Sequence, residues 1–172
     1  NFLLLVSRKG MSICFKADNA TLRPMGRDTS GVVGMKFRKG DELLSASVIG
    51  SAGFVFVVTE GGYAKRTASE QYRVQNRGGL GIKVAKLDEK RGDLVGSLIV
   101  DENDEVLVVL ASGKVIRTNA SEVPAKGRDT MGVVFARFEE GDSVLSLAKN
   151  SERNLESNEE GADVGEPVQP EQ

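Results

Sequence analysis

Histidine and tryptophan are absent from this 172-residue chain, and cysteine occurs once, at Cys14. Without imidazole there is no histidine-based general acid–base chemistry. A lone thiol builds neither an internal disulfide nor a Cys/His zinc site, and it suits a reducing compartment. Long apolar runs are missing too. "FLLLV" and "VLVVLA" fall far short of the roughly 20 residues that a membrane-crossing helix needs. No charged-then-apolar leader pattern is present, so a cytoplasmic protein is expected. Aromatics are scarce, with seven Phe and two Tyr, which argues against a protein that holds single strands by stacking their bases.

What is present is charge, unevenly placed. The net charge is −2. Residues 151–172 hold seven acids against one base, a local charge of −6, which leaves the body at +4. That tail, "SERNLESNEEGADVGEPVQPEQ", has too little apolar content to order itself and is expected to be disordered. A mildly basic body beside an acidic tail fits a polyanion partner and something that competes with it. The chain opens at Asn1 and enters an apolar strand at once, so a piece of a longer polypeptide is expected, with that first strand left as an open edge.

The body, residues 1–150, is an internal repeat. "FLLLVSRKGMSICF", "FVFVVTEGGYAKRT" and "VLVVLASGKVIRT" align on Gly10, Gly62 and Gly113, which are 52 and 51 residues apart. "GRDTSGV", "NRGGLGI" and "GRDTMGV" align on Gly31, Gly81 and Gly132, and a Gly-Asp pair recurs at Gly40-Asp41, Gly92-Asp93 and Gly141-Asp142. In the middle copy, apolar runs at Phe54–Thr59, Tyr63–Thr67, Ile82–Leu87 and Leu94–Val100 predict four short strands. No long 3.6-period stripe predicts a helix. Units of about 50 residues with four strands each predict propeller-like blades in an all-β fold. Val32, Ile82 and Val133, and likewise Phe37, Leu87 and Phe138, recur as apolar and are expected in the core.

Recurrent basic positions ask for another explanation. Four residues before the shared glycine stand Arg27, Arg77 and Arg128; five after it stand Lys36, Lys86 and Arg137. A third position, on the hairpin's second strand, is Cys14, Arg66 and Arg117, with Lys65 beside Arg66. Duplicated surface charge explains one such position. Two or three, carried around a curved body, predict a track that meets phosphates without reading bases. In "QNRGGLG", residues 75–81, the glycines are then expected to let a phosphate approach the backbone while Gln75 and Arg77 donate to it.

"QNRGGLG" resembles the Q-R-R-G-G-K-G box of the C-terminal domain of DNA gyrase A. "LRPMGRDTSGV", "GGYAKRT" and "GSLIVDENDEVLVVLASGKVIRT" are similar to its last blades, most of all in actinobacterial members, from Phe2 to about Lys149. The resemblance implies three of the six blades of a β-pinwheel whose neighbours exchange strands, with duplex DNA wrapped on a basic perimeter so that ATP-driven strand passage adds negative supercoils. It carries the box onto Gln75, Arg77, Gly78, Gly79 and Gly81. Asn76 and Leu80 each replace a basic residue, which makes this a secondary box, with a fuller one expected upstream.

Further implications concern the whole enzyme. Its nucleophilic tyrosine and metal-binding carboxylates lie elsewhere, so Tyr63 and Tyr72 are expected to be structural and the piece itself non-catalytic, without cofactor. ATP and Mg2+ would be used in other parts. The partners implied are duplex DNA, gyrase B and a second gyrase A polypeptide, in an A2B2 assembly in the bacterial cytoplasm at the nucleoid. Two alternatives stand beside this: the C-terminal domain of the topoisomerase IV counterpart of gyrase A, and a propeller that only scaffolds proteins.

Overall fold

The computed structural model describes residues 1–150; the acidic tail and its expected disorder lie outside the described residues. The described residues form eleven strands and two single-turn 3-10 helices, Ser69–Gln71 and Ala120–Glu122. The first unit supplies β1 (Phe2–Ser7), β2 (Met11–Lys16) and β3 (Leu43–Ile49). From the second come β4 (Phe54–Thr59), β5 (Tyr63–Ala68), β6 (Ile82–Lys83) and β7 (Leu94–Val100). The third contributes β8 (Glu105–Leu110), β9 (Val115–Asn119), β10 (Val133–Val134) and β11 (Val144–Lys149).

Sheets and repeat units are out of phase. The strand orders are β3-β1-β2-β6, β10-β5-β4-β7 and β11-β8-β9, all pairings antiparallel. Each of the first two sheets takes its outermost strand from the next unit: Ile82 faces Ser12, and Val133 faces Ala64. The first apolar strand is therefore not an open edge. β1 lies between β2 and β3, and among the described residues β9 is the hairpin strand that lacks the short outer strand carried by β2 and β5. The expected third strand also shrinks from Ile82–Leu87 to two residues, because Val84 and Ala85 leave the ladder and pack beneath the neighbouring hairpin, where their amides meet the Gly10 carbonyl.

Packing follows from strand alternation. Along β4, Val55 and Val57 point toward the first sheet and join Leu4, Val6, Val84 and Leu94. Phe56 and Val58 point the other way, to Val106, Val108 and Leu110, with Phe56 set edge-on to Phe135 at 5.5 Å. A strand buried on both faces reads as a continuous apolar run, which "FVFVV" is. Val32, Ile82 and Val133, expected in the core, are only half-buried, and of the three Val133 alone packs against a cluster, whereas Leu87 and Phe138 pack against the two clusters. Phe37 does not; it is 41 % exposed.

The recurrent Gly-Asp has a local cause. Asp41 accepts hydrogen bonds from the Ser7 hydroxyl at 2.7 Å and the Lys9 amide at 2.9 Å, and Asp142 accepts from the Ser112 hydroxyl and amide at 2.6 and 3.0 Å. Each aspartate thus closes the hairpin turn of its own unit. In the middle unit, Glu60 takes part instead and accepts from the Asp93 amide, while Asp93 pairs with Lys9 across the blades.

Candidate nucleic-acid interface

The loop 75–81 docks on the corresponding segment of the unit before it. Its amides and carbonyls interleave with residues 34–36: Gly78 donates to the Gly34 carbonyl at 2.7 Å, and the Lys36 amide donates to the Gly79 carbonyl at 2.8 Å. Gln75 donates its amide to the Cys14 carbonyl. Gly81 sits at φ 77°, and a Cβ there would lie 2.0 Å from the Ser12 carbonyl oxygen; its counterpart Gly132 would come within 2.6 Å of the Ala64 carbonyl. The close approach that this glycine permits is therefore made by the neighbouring blade's backbone, which corrects the expectation that a phosphate needs it.

Arg77 is shared in the same way. Its Nε donates to the Thr21 carbonyl at 2.9 Å and its Nη1 to the Val33 carbonyl at 3.1 Å. Arg128, one unit on, donates to the Lys83 carbonyl, two residues past the shared glycine just as Val33 is. The recurrence of arginine four residues before that glycine thus has a structural cause: the side chain braces one blade on the next. Arg27, the first-unit copy, is exposed.

Position +5 behaves differently. Lys36, Lys86 and Arg137 are all exposed, and none has an ion-pair partner among the described residues. Lys86 also lines an open cleft of about 460 Å³ between the first two blades, with Lys9, Arg38, Lys39 and Lys83 around it and a single carboxylate, Asp41. Four of these five cations escape repeat logic. Lys9, Arg38 and Lys83 correspond to Gly61, Asp88 and Val33 in sister copies, so only folding gathers them. A second cleft, about 410 Å³, lies beside the box with Lys16, Gln75, Asn76 and Arg77 on its walls. Leu80 is exposed, and Gly78 and Gly79 are half-buried.

The third basic position leaves the track. Cys14 is buried, and its thiol is pushed up by desolvation. Arg66 is 6 % exposed, stacked 4.4 Å over the Phe54 ring, with its Nε donating to the Val123 carbonyl. It joins blades two and three. Arg117 is exposed and bound to Glu105 at 2.7 Å. Lys65 is 2 % exposed and donates to the carbonyls of Gly127, at 3.1 Å, and Arg128. Both Lys65 and Arg66 sit on a strand whose two faces meet other blades, which removes them from any phosphate on the rim.

Burial, with a smaller push from Arg128 and an opposing pull from Asp129, lowers the Lys65 ammonium to about 8 from 10.5. Between those values the unfolded chain binds a proton that the folded one has released. Stability should therefore rise with pH across that window, by on the order of 3 kcal/mol. Denaturant melts of wild type and Lys65→Met at intervals between pH 7.5 and 10.5 should show the rise in the wild type only. Parallel curves would reassign the titration.

Neither tyrosine has the surroundings of a nucleophile. Tyr63 carries Arg91 over its ring at 4.5 Å, and Tyr72 is buried, with its phenol pushed far up by desolvation. Among the described residues, no group of three or more acidic or thiol side chains is placed to hold a metal ion. Among them, too, no helix is long and apolar enough to cross a membrane.

Antiparallel sheets of which the first two take an outer strand from the next unit define a propeller-like repeat domain of the pinwheel kind. Comparison with known proteins places it. Residues 1–49, 53–101 and 104–151 each match the DNA gyrase C-terminal domain, beta-propeller family, so the chain belongs to that family. It is 56% identical over 162 residues to the DNA gyrase A polypeptide of Streptomyces coelicolor, covering 94% of this chain, and 50% identical over 156 residues to that of Mycobacterium tuberculosis, covering 91%. In both cases it spans 19% of the relative's length. Among solved structures, a DNA gyrase A C-terminal domain superposes with TM-score 0.78 at 32% identity, over 86% of this chain and 50% of that one. The C-terminal domain of a DNA topoisomerase IV superposes at 0.80 over 95% and 52%, and at 20% identity it shares the fold.

Proposed function

We propose that this chain binds duplex DNA along its outer rim and bends it, as the wrapping element of a gyrase that introduces negative supercoils. One observation carries the reading: the three recurrent cations Lys36, Lys86 and Arg137 all stand exposed and unpaired by carboxylates among the described residues, each just past a rim segment. Evenly repeated cations on a curved edge suit the regular phosphates of a duplex rather than any base sequence. Bending a 20–30 bp site costs on the order of 1–6 kcal/mol, so contacts from several blades must act together. The box residues Gln75, Arg77, Gly78, Gly79 and Gly81, together with the identity to gyrase A chains, favour gyrase over topoisomerase IV. ATP, Mg2+, gyrase B and a second gyrase A polypeptide would act through other parts of such an enzyme, in the bacterial cytoplasm at the nucleoid.

Wrapping is read directly by sealing nicked circular DNA with ligase in the presence of the chain. A positive shift of the topoisomer distribution, growing with protein concentration, is expected. DNA that is bound but sealed with an unshifted distribution would leave binding and overturn wrapping; no binding at all would favour the scaffold.

A further inference from the structure

The three blades present one corner with three different charges. Directly after the apolar position Phe37, Leu87 and Phe138, the chain carries Arg38-Lys39 in the first unit, Asp88-Glu89 in the second and Glu139-Glu140 in the third. In the second, Lys90 and Arg91 follow before the shared glycine, and Arg91 is bound to Asp88 at 2.6 Å, so that corner is balanced. The third is a cavity of about 560 Å³ lined by Glu139, Glu140 and Asp142 against Lys114. Duplicated surface charge would keep its sign. This charge runs from positive through balanced to negative.

Folding adds further cations to the first corner. The next unit's segment brings Lys83 and Lys86 and the hairpin turn brings Lys9, so five cations surround one cleft of about 460 Å³ with the single carboxylate Asp41. Asp41 is engaged by the Ser7 hydroxyl and by the amides of Lys9 and Glu42. Lys9 pairs with Asp93 at 2.9 Å and Lys83 with Asp129 at 3.4 Å, exposed contacts that a phosphate can replace at little cost. Arg38, Lys39 and Lys86 are exposed, with no carboxylate partner among the described residues. Met11, Ala85 and Leu87 complete the wall, and an apolar wall beside like charges focuses their field into the cleft. Exposure at Arg38 and Lys39 does not depend on what fills the preceding junction. Their counterparts Asp88, Glu89, Glu139 and Glu140 are exposed at the two junctions that are filled.

We infer that this cleft is where the track grips hardest. It takes phosphate groups of the duplex backbone between the first two blades, with Arg38, Lys39 and Lys86 as donors, and the grip fades toward the third blade. The inference rests on the duplex reading above and adds that the contacts are unequal.

Two double replacements test it, because each removes the same charge from exposed positions: Arg38→Ala with Lys39→Ala at the cleft, and Lys126→Ala with Arg137→Ala on the third blade. In anisotropy titrations of a short duplex, the first should flatten the log–log salt slope by about 1.8 and weaken binding near 0.1 M salt by up to roughly 60-fold. The second should do so by no more than about 0.9 and roughly eightfold, one phosphate's share. Glu139→Arg with Glu140→Lys, which copies the first corner onto the third, should tighten binding. Circular dichroism should be unchanged throughout. Equal losses from the two pairs would overturn the inference and leave the proposed function standing, because the duplex would then respond to total charge alone. A wild-type chain that does not bind duplex would overturn both. Inorganic tripolyphosphate separates the sources of the phosphate: if it binds the wild type and not the cleft variant while duplex affinity is unmoved, the cleft belongs to a free polyphosphate and the duplex is overturned as its occupant.

Discussion

Replacing Lys36, Lys86 and Arg137 together by alanine should flatten the log–log dependence of DNA affinity on salt by roughly 2.7, from about 0.9 for each phosphate no longer neutralised. Near 0.1 M salt that is a weakening of up to roughly 500-fold by counter-ion release alone. The three side chains are exposed and hold no other part of the protein among the described residues, so the melting temperature should stay where it was. Arg77→Ala is the contrasting variant. It strips donors from the Thr21 and Val33 carbonyls and should cost about 1–3 kcal/mol of stability, while changing the salt slope by less than one phosphate's share. Titrations at four or five salt concentrations, paired with thermal melts, separate the two classes. A slope unmoved by the triple replacement would reduce those cations to solvated surface charge.

The second large effect is expected at Gly81. An alanine there must hold φ at 77° and drive its methyl into the Ser12 carbonyl, 2.0 Å from the Cβ position. The left-handed conformation alone costs about 1–2 kcal/mol, and separating two blades where their backbones touch adds to it. A total on the order of 3–5 kcal/mol places Gly81→Ala among the exceptional substitutions. Gly31→Ala is its internal control, with φ 74° and nothing within 4 Å. It should cost only the conformational part, about 1–2 kcal/mol. Equal destabilisation by the two in urea melts would mean that the close approach of the blades carries no weight.

Much of the architecture was legible because the sequence contains its own comparison. Three copies separate what a unit requires from what it tolerates, and the repeated turn glycines together with the short apolar runs around them predict the hairpins and the all-β class. The cause of each recurrence was less legible. Arginine four residues before the glycine looks the same whether its donors meet a phosphate or a carbonyl, since both reward the same N–H fork. Only the position of Val33 and Lys83 beside Arg77 and Arg128 decides it. Lys65 shows the reverse failure: a lysine next to an arginine on a short strand reads as surface charge, and its burial depends on a blade brought over it by the chain about 60 residues later. The cleft cations Lys9, Arg38, Lys39 and Lys83 were invisible for a third reason, that averaging over copies discards what only one copy has.

Strand exchange has a consequence for how such a gene can change. The hereditary unit is about 50 residues, and each of the first two sheets is built from three strands of one unit and one of the next. Every unit therefore carries both a plug and a socket. Recombination that inserts or deletes one whole unit, wherever its endpoints fall within the repeat, restores each plug to a socket of the same shape. A crossover between misaligned units does the same, provided that the period is kept. Length can drift under selection while every internal junction stays filled, whereas a deletion of half a unit opens two sheets at once.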